Sequence, residues 1–182
     1  MKLLVHICCA PCFAAPYFHL KEEGHEVHGF WYNHNIHPFT EYKKRLETLQ
    51  EFADKESIPF IVKDEYELEK FFRKTAFREQ ERCRSCYYER LKYAVIIAKK
   101  GNFDAFTTTL LYSKFQKHDL IKEIGESLAK EYDVKFYYND FREYWKEGIK
   151  ISKEKEMYRQ QYCGCIYSER DRYLGDIKRG HL

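Results

Sequence analysis

Long apolar segments are missing from this chain. No apolar run approaches the roughly 20 residues that a membrane-spanning helix requires. The N-terminus also lacks the basic segment, apolar stretch and small-residue cleavage site of a secretory signal peptide. The sequence therefore predicts a cytoplasmic protein with no membrane partner.

Two common phosphate-binding motifs are missing as well. The sequence has neither a GxGxxG loop nor a Walker A loop, so nothing in it supports a dinucleotide or P-loop phosphate site. It contains no internal repeat, linker or low-complexity segment. We therefore expect one domain over residues 1–182, with a polar, aromatic and basic C-terminal part over about 139–182.

An excess of charge of one sign is also lacking. Charged residues make up 34% of the chain, yet the net charge is only +3. This balance permits an anionic partner such as a nucleic acid without requiring one. Aromatic residues reach 18%, with 16 Tyr and 14 Phe, so tyrosines must supply much of the apolar surface while their hydroxyls stay near water or partners.

Cysteine, in contrast, is abundant. The seven cysteines fall into three short groups: Cys8, Cys9 and Cys12; Cys83 and Cys86; and Cys163 and Cys165. In a reducing cytosol such a set favours metal binding or redox chemistry over structural disulfides. A hyperthermophilic source, with which the Lys- and Glu-rich composition is consistent, would be an exception, because such organisms keep intracellular disulfides.

Strand and helix patterns alternate along the chain. Short apolar runs predict strands at 3–7, 27–32, 59–62, 103–110 and 134–138. Helical spacing predicts helices at 13–23, 39–55, 66–72, after Cys86 up to Gly101, and from an N-cap at Ser113 to residue 132. The alternation predicts a three-layer α/β sandwich around a mostly parallel sheet, whose carboxyl edge is where ligands collect.

This fold places the first cysteines at that edge, because they directly follow the first predicted strand. The loop 33–38 follows the second strand and lies at the same edge; we favour substrate contact or a structural role for its His34 and His37 over metal ligation. The Cys83/Cys86 pair begins a helix, where the positive end of the helix dipole should favour thiolate.

The spacing of the cysteines leaves their chemistry open. Four thiolates from two groups suit either tetrahedral zinc or a [4Fe–4S] cluster. The single residue between Cys163 and Cys165 would make a strained, easily reduced disulfide ring, so a redox-active dithiol is the sharper hypothesis beside metal ligation or idle thiols. Asp140 could be an oxygen ligand, an acid or the N-cap of a helix over 141–146.

Several segments, taken in order, are familiar: HICCAPC, YNHNIHPFTEY, RCRSCYYERL, FDAFTTTLLYS, and DFREYWKEG leading to YRQQYCGC. Together they resemble the epoxyqueuosine reductase QueH family over almost the whole chain. The resemblance implies a Rossmann-like sheet of the adenine nucleotide α-hydrolase type. It also implies an oxidoreductase that removes the epoxide oxygen of epoxyqueuosine at the wobble position of tRNA, in the last step of queuosine synthesis.

The same resemblance implies cofactors and partners. It implies a [4Fe–4S] cluster held by Cys8, Cys9, Cys83 and Cys86. It implies a redox-active disulfide between Cys163 and Cys165. Cys12 is left over, and is a candidate ligand, with an aspartate such as Asp140, of a second, mononuclear iron. The partners implied are tRNA carrying epoxyqueuosine in its anticodon and an electron donor that the sequence does not identify.

Two rival functions are also compatible with these residues. In a zinc-structured RNA-binding module, cysteines would hold the fold while Arg and Tyr bind RNA. A thiol-disulfide oxidoreductase would use Cys83 and Cys86 directly, but this reading leaves the first cysteine group unexplained.

Overall fold

Five parallel strands form one sheet in the computed structural model, which describes residues 1–178. The strands are β1 (Lys2–His6), β2 (Glu26–Trp31), β3 (Phe60–Val62), β4 (Ala105–Thr108) and β5 (Lys135–Phe136). They pair in the order β3-β2-β1-β4-β5, all in parallel. The predicted parallel sheet is confirmed, and each predicted strand overlaps an observed one.

Helices connect and cover these strands. The α-helices of the described chain are α1 (Ala10–Glu22), α2 (Phe39–Lys55), α3 (Leu68–Thr75), α4 (Arg82–Lys100), α5 (His118–Tyr132), α6 (Trp145–Glu154) and α7 (Ile166–Lys178). Helix α1 packs against α2 and α6, whereas α4 packs against α3 and α5. From β1 the chain continues to β2 on one side of the sheet centre, and from β4 it continues to β5 on the other side. Because parallel crossovers are right-handed, the helices packed around α1 and those packed around α4 cover opposite faces of the sheet. The three-layer α/β architecture is confirmed.

The sheet centre is the core of the molecule. Leu3, Leu4 and Val5 of β1 are fully buried, as expected for a strand covered by helices on both faces. Helix α2 has the bounds that its apolar spacing predicts, and its Leu49 and Phe52 are buried. No helix within residues 1–178 is both long enough and apolar enough to cross a membrane.

The ends of β1 and β4 form the switch point of the sheet. His6 of β1 pairs in register with Thr108 of β4, and the chain then turns towards β2 on one side and β5 on the other. In open α/β sheets, ligands bind in the crevice that opens at such a reversal. Cys8 and Thr109 follow the two strands into this crevice.

Two helix starts differ from the sequence prediction. Helix α1 begins at Ala10 rather than residue 13, because Pro11 lies in the first turn, where its missing N–H is not needed. Pro16 lies inside the helix and is buried. Helix α5 begins at His118, because the Ser113 hydroxyl accepts a hydrogen bond from the Phe115 N–H (3.3 Å) and caps a local turn instead.

Two aromatic side chains on helices lie outside the core. Phe39 of α2 and Phe72 of α3 are 52% and 39% exposed. Conversely, Glu41 and Arg45 of α2 are buried, although the charged residues of an amphipathic helix normally face solvent. Their burial reflects a contact with the C-terminal part of the chain, which the helical pattern alone does not reveal.

Candidate active site

A cavity of about 730 Å³ opens at the switch point. Its wall includes sulfur-bearing side chains from two distant parts of the chain, namely Cys8, Cys12 and Cys163. Aromatic and cationic side chains, including Tyr112 and Arg159, complete the lining. The volume lies within the range of pockets that enclose a small organic ligand.

The first cysteine group is tight. Cys8 follows β1, Cys9 is the N-cap residue of α1, and Cys12 lies in the first turn of that helix. Their sulfur atoms all lie within 4.8 Å of one another, and those of Cys8 and Cys9 are 3.8 Å apart. The Cys9 and Cys12 sulfurs are in disulfide contact, so ligation of a metal by both requires the reduced form of this pair. In that form the group can hold a metal or a cluster.

Polar side chains donate hydrogen bonds to these sulfurs. The Thr109 hydroxyl donates to Cys8 Sγ at 3.2 Å. Gln160 Nε2 lies 2.9 Å from Cys9 Sγ and 3.3 Å from Cys12 Sγ, while Gln160 Oε1 is buried with no partner in the described chain. Donors of this kind stabilise negative charge on sulfur and tune a sulfur-ligated metal group. The surroundings therefore fit anionic, metal-bound sulfur.

The second cysteine pair lies at the start of α4, as predicted. Burial raises the pKa of Cys83, and it raises that of Cys86 to about 12. Electrostatic interaction with Cys163 and Cys165 raises the pKa of both thiols further, so the second and third cysteine groups lie near each other. The expectation that the helix start favours thiolate was wrong, because desolvation outweighs the field of the helix end.

A fully buried arginine accompanies this pair. Arg90 lies one turn after Cys86 on α4, and its Nη1 is 3.8 Å from Cys86 Sγ. Arg90 Nε donates to His6 Nε2 at 3.2 Å, and Nη2 donates to Asn33 Oδ1. Burial opposes the charge of Arg90, yet its interaction with the nearby Cys86 sulfur raises the pKa of Arg90 above its usual value.

The third cysteine group lies on an irregular segment between α6 and α7. Cys163 is exposed and Cys165 is buried, and both are free thiols in this structure. Cys163 Sγ accepts a hydrogen bond from Gln116 Nε2 at 3.1 Å. Gly164 between them has φ of +147°, a conformation that L side chains rarely adopt. Glycine is therefore required for the backbone path that separates the two thiols.

This segment is held by long-range contacts. Arg45 of α2 donates to the Tyr162 carbonyl at 3.0 Å and to the Cys163 carbonyl at 2.9 Å. Arg45 also forms a buried ion pair with Glu41 at 2.6 Å, and Glu41 accepts a hydrogen bond from the Tyr158 hydroxyl. The buried charges of α2 thus anchor the C-terminal cysteines from across the fold.

The loop 33–38 completes this anchoring through its backbone. The His37 N–H donates to the Gly164 carbonyl at 2.8 Å, and the Tyr162 hydroxyl donates to the His37 carbonyl. His34 and His37 are both buried, and burial lowers the pKa of His34 to about 3 and that of His37 to about 4. The contacts of His37 show a structural role for this loop.

Asp140 lies elsewhere. Its carboxylate accepts from the Arg142 N–H and pairs with the Arg142 guanidinium, which holds the pKa of Asp140 below its usual value. It does not line the cavity. The sequence leaves three roles open for Asp140, and the geometry shows one of them, the helix cap. The capped element is a short 3-10 helix over Phe141–Tyr144.

Sequence reasoning missed four side chains that support the sulfurs or their segment: Arg45, Thr109, Gln116 and Gln160. The first had a detectable signal, since Glu41 and Arg45 form an i,i+4 pair directly beside the apolar positions of α2. The other three donate to sulfur from loops and a strand end, and only the fold brings them there.

Comparison with known proteins adds to this geometry. The sequence model of the family described as epoxyqueuosine reductase QueH matches residues 3–171. A Dehalococcoides mccartyi protein named epoxyqueuosine reductase QueH is 37% identical over 172 residues, covering 94% of each chain. A Thermotoga maritima protein of the same name is 35% identical over 196 residues, covering 99% of this chain and 98% of its own. One from Haemophilus influenzae is 39% identical over 181 residues, covering 93% and 72%.

A solved structure also resembles the chain. It is described as the crystal structure of a predicted subunit of tRNA methyltransferase from Methanocaldococcus jannaschii. It is 14% identical, covers 85% of this chain and 88% of its own, and has a TM-score of 0.48.

Proposed function

The chain belongs to the epoxyqueuosine reductase QueH family, and on that premise we propose that the switch-point cavity reduces the epoxide of epoxyqueuosine in tRNA to the alkene of queuosine. The observation that supports this most is that cysteines from two distant parts of the chain, Cys8 and Cys12 with Cys163, line one cavity of about 730 Å³. Such a convergence serves metal and redox chemistry, and the cavity can take one modified nucleoside.

The reaction consumes two electrons and two protons and releases the epoxide oxygen as water. Oxidation of the Cys163 and Cys165 thiols to a disulfide releases two electrons and two protons, which balances the equation for one turnover. An external electron donor must then reduce the disulfide before the next turnover. The exposed position of Cys163 on the cavity wall supports this role, since both substrate and donor can reach it.

For the cluster we propose four ligands: Cys8, Cys9, Cys83 and Cys86. When bound, a [4Fe–4S] cluster there supplies single electrons to the reducing half of the reaction. Cys12, which lines the cavity, would be left to ligate a second, mononuclear iron. Asp140 pairs with Arg142 away from the cavity, so we propose no ligand or acid role for it.

Protein side chains would orient the substrate and hold protons. Tyr112 lines the cavity, and burial raises its pKa to about 12, so its hydroxyl is protonated at neutral pH. In this structure it donates to the Trp145 carbonyl at 3.2 Å. Turned towards the cavity, the same hydroxyl would donate a hydrogen bond to the epoxide oxygen and stabilise its developing charge.

The cavity mouth suits a nucleic acid. Phe115 is 78% exposed beside Trp145, with ring centroids 5.9 Å apart, and Lys114 Nζ lies 5.2 Å from the Trp145 centroid. Exposed aromatic rings with a neighbouring cation are able to stack a base and attract its phosphate. We propose that the target nucleoside is turned out of the anticodon loop into the cavity while the loop rests on this rim.

The test uses protein prepared without oxygen and an anticodon stem-loop that carries epoxyqueuosine. With an artificial electron donor, mass spectrometry should show conversion to queuosine over many turnovers. The Cys163→Ser and Cys165→Ser variants should stop after at most one turnover. Native rates over many turnovers in these variants would overturn the dithiol role. If wild-type protein with a full complement of iron did not convert the substrate, the substrate assignment would be overturned.

A further inference from the structure

Arg90 is a buried cation without a carboxylate partner. Its side chain is 1% exposed, and its polar contacts go to an imidazole nitrogen of His6, the amide oxygen of Asn33 and the sulfur of Cys86. Within residues 1–178 it forms no ion pair with an acidic side chain. Arg45 differs in this respect, because it is equally buried but is paired with Glu41.

An uncompensated buried charge is costly. Removing an ion from water is unfavourable even after the protein relaxes around it, and proteins normally offset this cost by pairing the charge. His6 and Asn33 accept hydrogen bonds but carry no negative charge to offset it. The one contacting atom that becomes anionic when it ligates a metal is the sulfur of Cys86.

The two neutral acceptors hold the guanidinium firmly in place. The His6 ring is fixed by Thr108 Oγ1 at 2.8 Å, and Asn33 Nδ2 donates to the Ile7 carbonyl at 2.9 Å. Arg90 is thereby tied to the end of β1 and to the loop 33–38. Cys8 follows two residues after His6, at the same strand end.

We propose that Arg90 is the fixed counter-charge of an anionic iron–thiolate group held by Cys8 and Cys86, and that it raises the reduction potential of this group. The inference rests on the proposed function, since it assumes the cluster. Arg90 is a positioning residue in this account, because it acts through the Cys86 sulfur. A positive charge in a buried site favours the more negative, reduced form of its neighbour.

The test is a redox titration of the bound cluster, followed by EPR, in protein prepared without oxygen. The Arg90→Met variant keeps much of the side-chain volume and loses the charge. Its reduction equilibrium constant should fall by about tenfold or more, which is a downward shift of about 59 mV for a one-electron couple. The Arg90→Lys variant keeps the charge and should shift much less.

A matched control separates local from general charge effects. Lys100→Met removes one positive charge from the exposed end of the same helix and should leave the potential unchanged. Iron and sulfide content is measured first: wild-type protein without a cluster would overturn the proposed function and this inference with it. A normal cluster whose potential is the same in Arg90→Met and wild type would overturn this inference alone.

The methionine variant could also fail to assemble the cluster. In that case the lysine variant decides. Recovery of cluster content in Arg90→Lys supports the counter-charge, since charge is what the two residues share. An Arg90→Lys variant that is folded by circular dichroism but as empty as Arg90→Met would contradict it, because shape rather than charge would then be required.

Discussion

The two ends of the candidate site are built in different ways. The sheet-edge cysteines, Cys8, Cys9 and Cys12, follow the central strand and begin a helix, so regular backbone fixes their positions. The dithiol segment, residues 158–165, has no regular structure. Its position depends on long-range contacts with α2 and with the loop 33–38.

This difference agrees with the two proposed tasks. A cluster requires ligands that stay in one geometry, which a strand end and a helix start provide. A dithiol that cycles to a disulfide must change its local geometry, and an irregular segment tolerates that change. Each proposed task also has its own buried arginine: Arg90 contacts Cys86, a proposed cluster ligand, and Arg45 donates to the dithiol segment. The following predictions test this division.

The largest contrast is between Cys86→Ser and Cys163→Ser. Serine is a poor ligand for iron, so Cys86→Ser should lose most of its iron and sulfide and more than about 100-fold of its activity. Cys163→Ser should keep its iron and sulfide while multiple turnover stops. Metal analysis and the turnover assay on both variants check this. Equal loss of iron in the two variants would contradict the proposed separation of cluster ligands from the dithiol.

The next effect concerns the anchor of the dithiol segment. Arg45→Met removes one partner of a buried ion pair and leaves the Glu41 carboxylate uncompensated. We expect a loss of about 3–5 kcal/mol in the free energy of unfolding, measured by urea denaturation. Lys43→Met, on the exposed side of α2, is the control and should change stability by less than about 1 kcal/mol. A similar small loss for Arg45→Met would show that the pair is not an anchor.

The same division decides what the sequence could reveal. Strand and helix alternation predicts the parallel sheet and places Cys8, Cys9 and Cys12 at its carboxyl edge, because local patterns determine regular elements. The start of α4 at the Cys83/Cys86 pair follows for the same reason. The position of the dithiol segment in the fold could not be predicted. It depends on hydrogen bonds from Arg45 to residues more than 100 positions away, and no local sequence pattern encodes such a contact.

Backbone strain gives a smaller effect. Gly164→Ala forces a side chain onto φ of +147° and brings its Cβ to 3.1 Å from Ile36 Cγ1. We expect a loss of about 1–3 kcal/mol in unfolding free energy together with a fall in turnover, because the two thiols are displaced. Gly24→Ala is the matched control: it has a positive φ and open space, so it should lower stability without changing turnover. Unchanged turnover in Gly164→Ala would contradict the role of this backbone path.

The last effect is a pH dependence of the loop that joins the two parts. Burial lowers the pKa of His34 to about 3, whereas an unfolded histidine has a pKa of about 6.5. As the pH falls, His34 of the unfolded chain therefore binds a proton before His34 of the folded protein does. The contribution of His34 to the free energy of unfolding is fully present above about pH 6.5 and is lost as the pH falls towards 3. The slope approaches about 1.4 kcal/mol per pH unit.

Urea denaturation of metal-free protein between pH 7 and 5 measures this slope. His34→Asn removes the titrating group, so its unfolding free energy should fall less steeply over the same range. Parallel curves for the variant and the wild type would show that His34 does not stay neutral in the folded protein.

The most direct test of the account is the iron, sulfide and zinc content of wild-type protein prepared without oxygen, with an EPR spectrum after reduction. The account predicts about four irons and four sulfides per chain and a paramagnetic reduced cluster, with any iron beyond four belonging to a second centre. Stoichiometric zinc without sulfide, in a sample never exposed to air, would contradict it and favour a zinc-structured RNA-binding module.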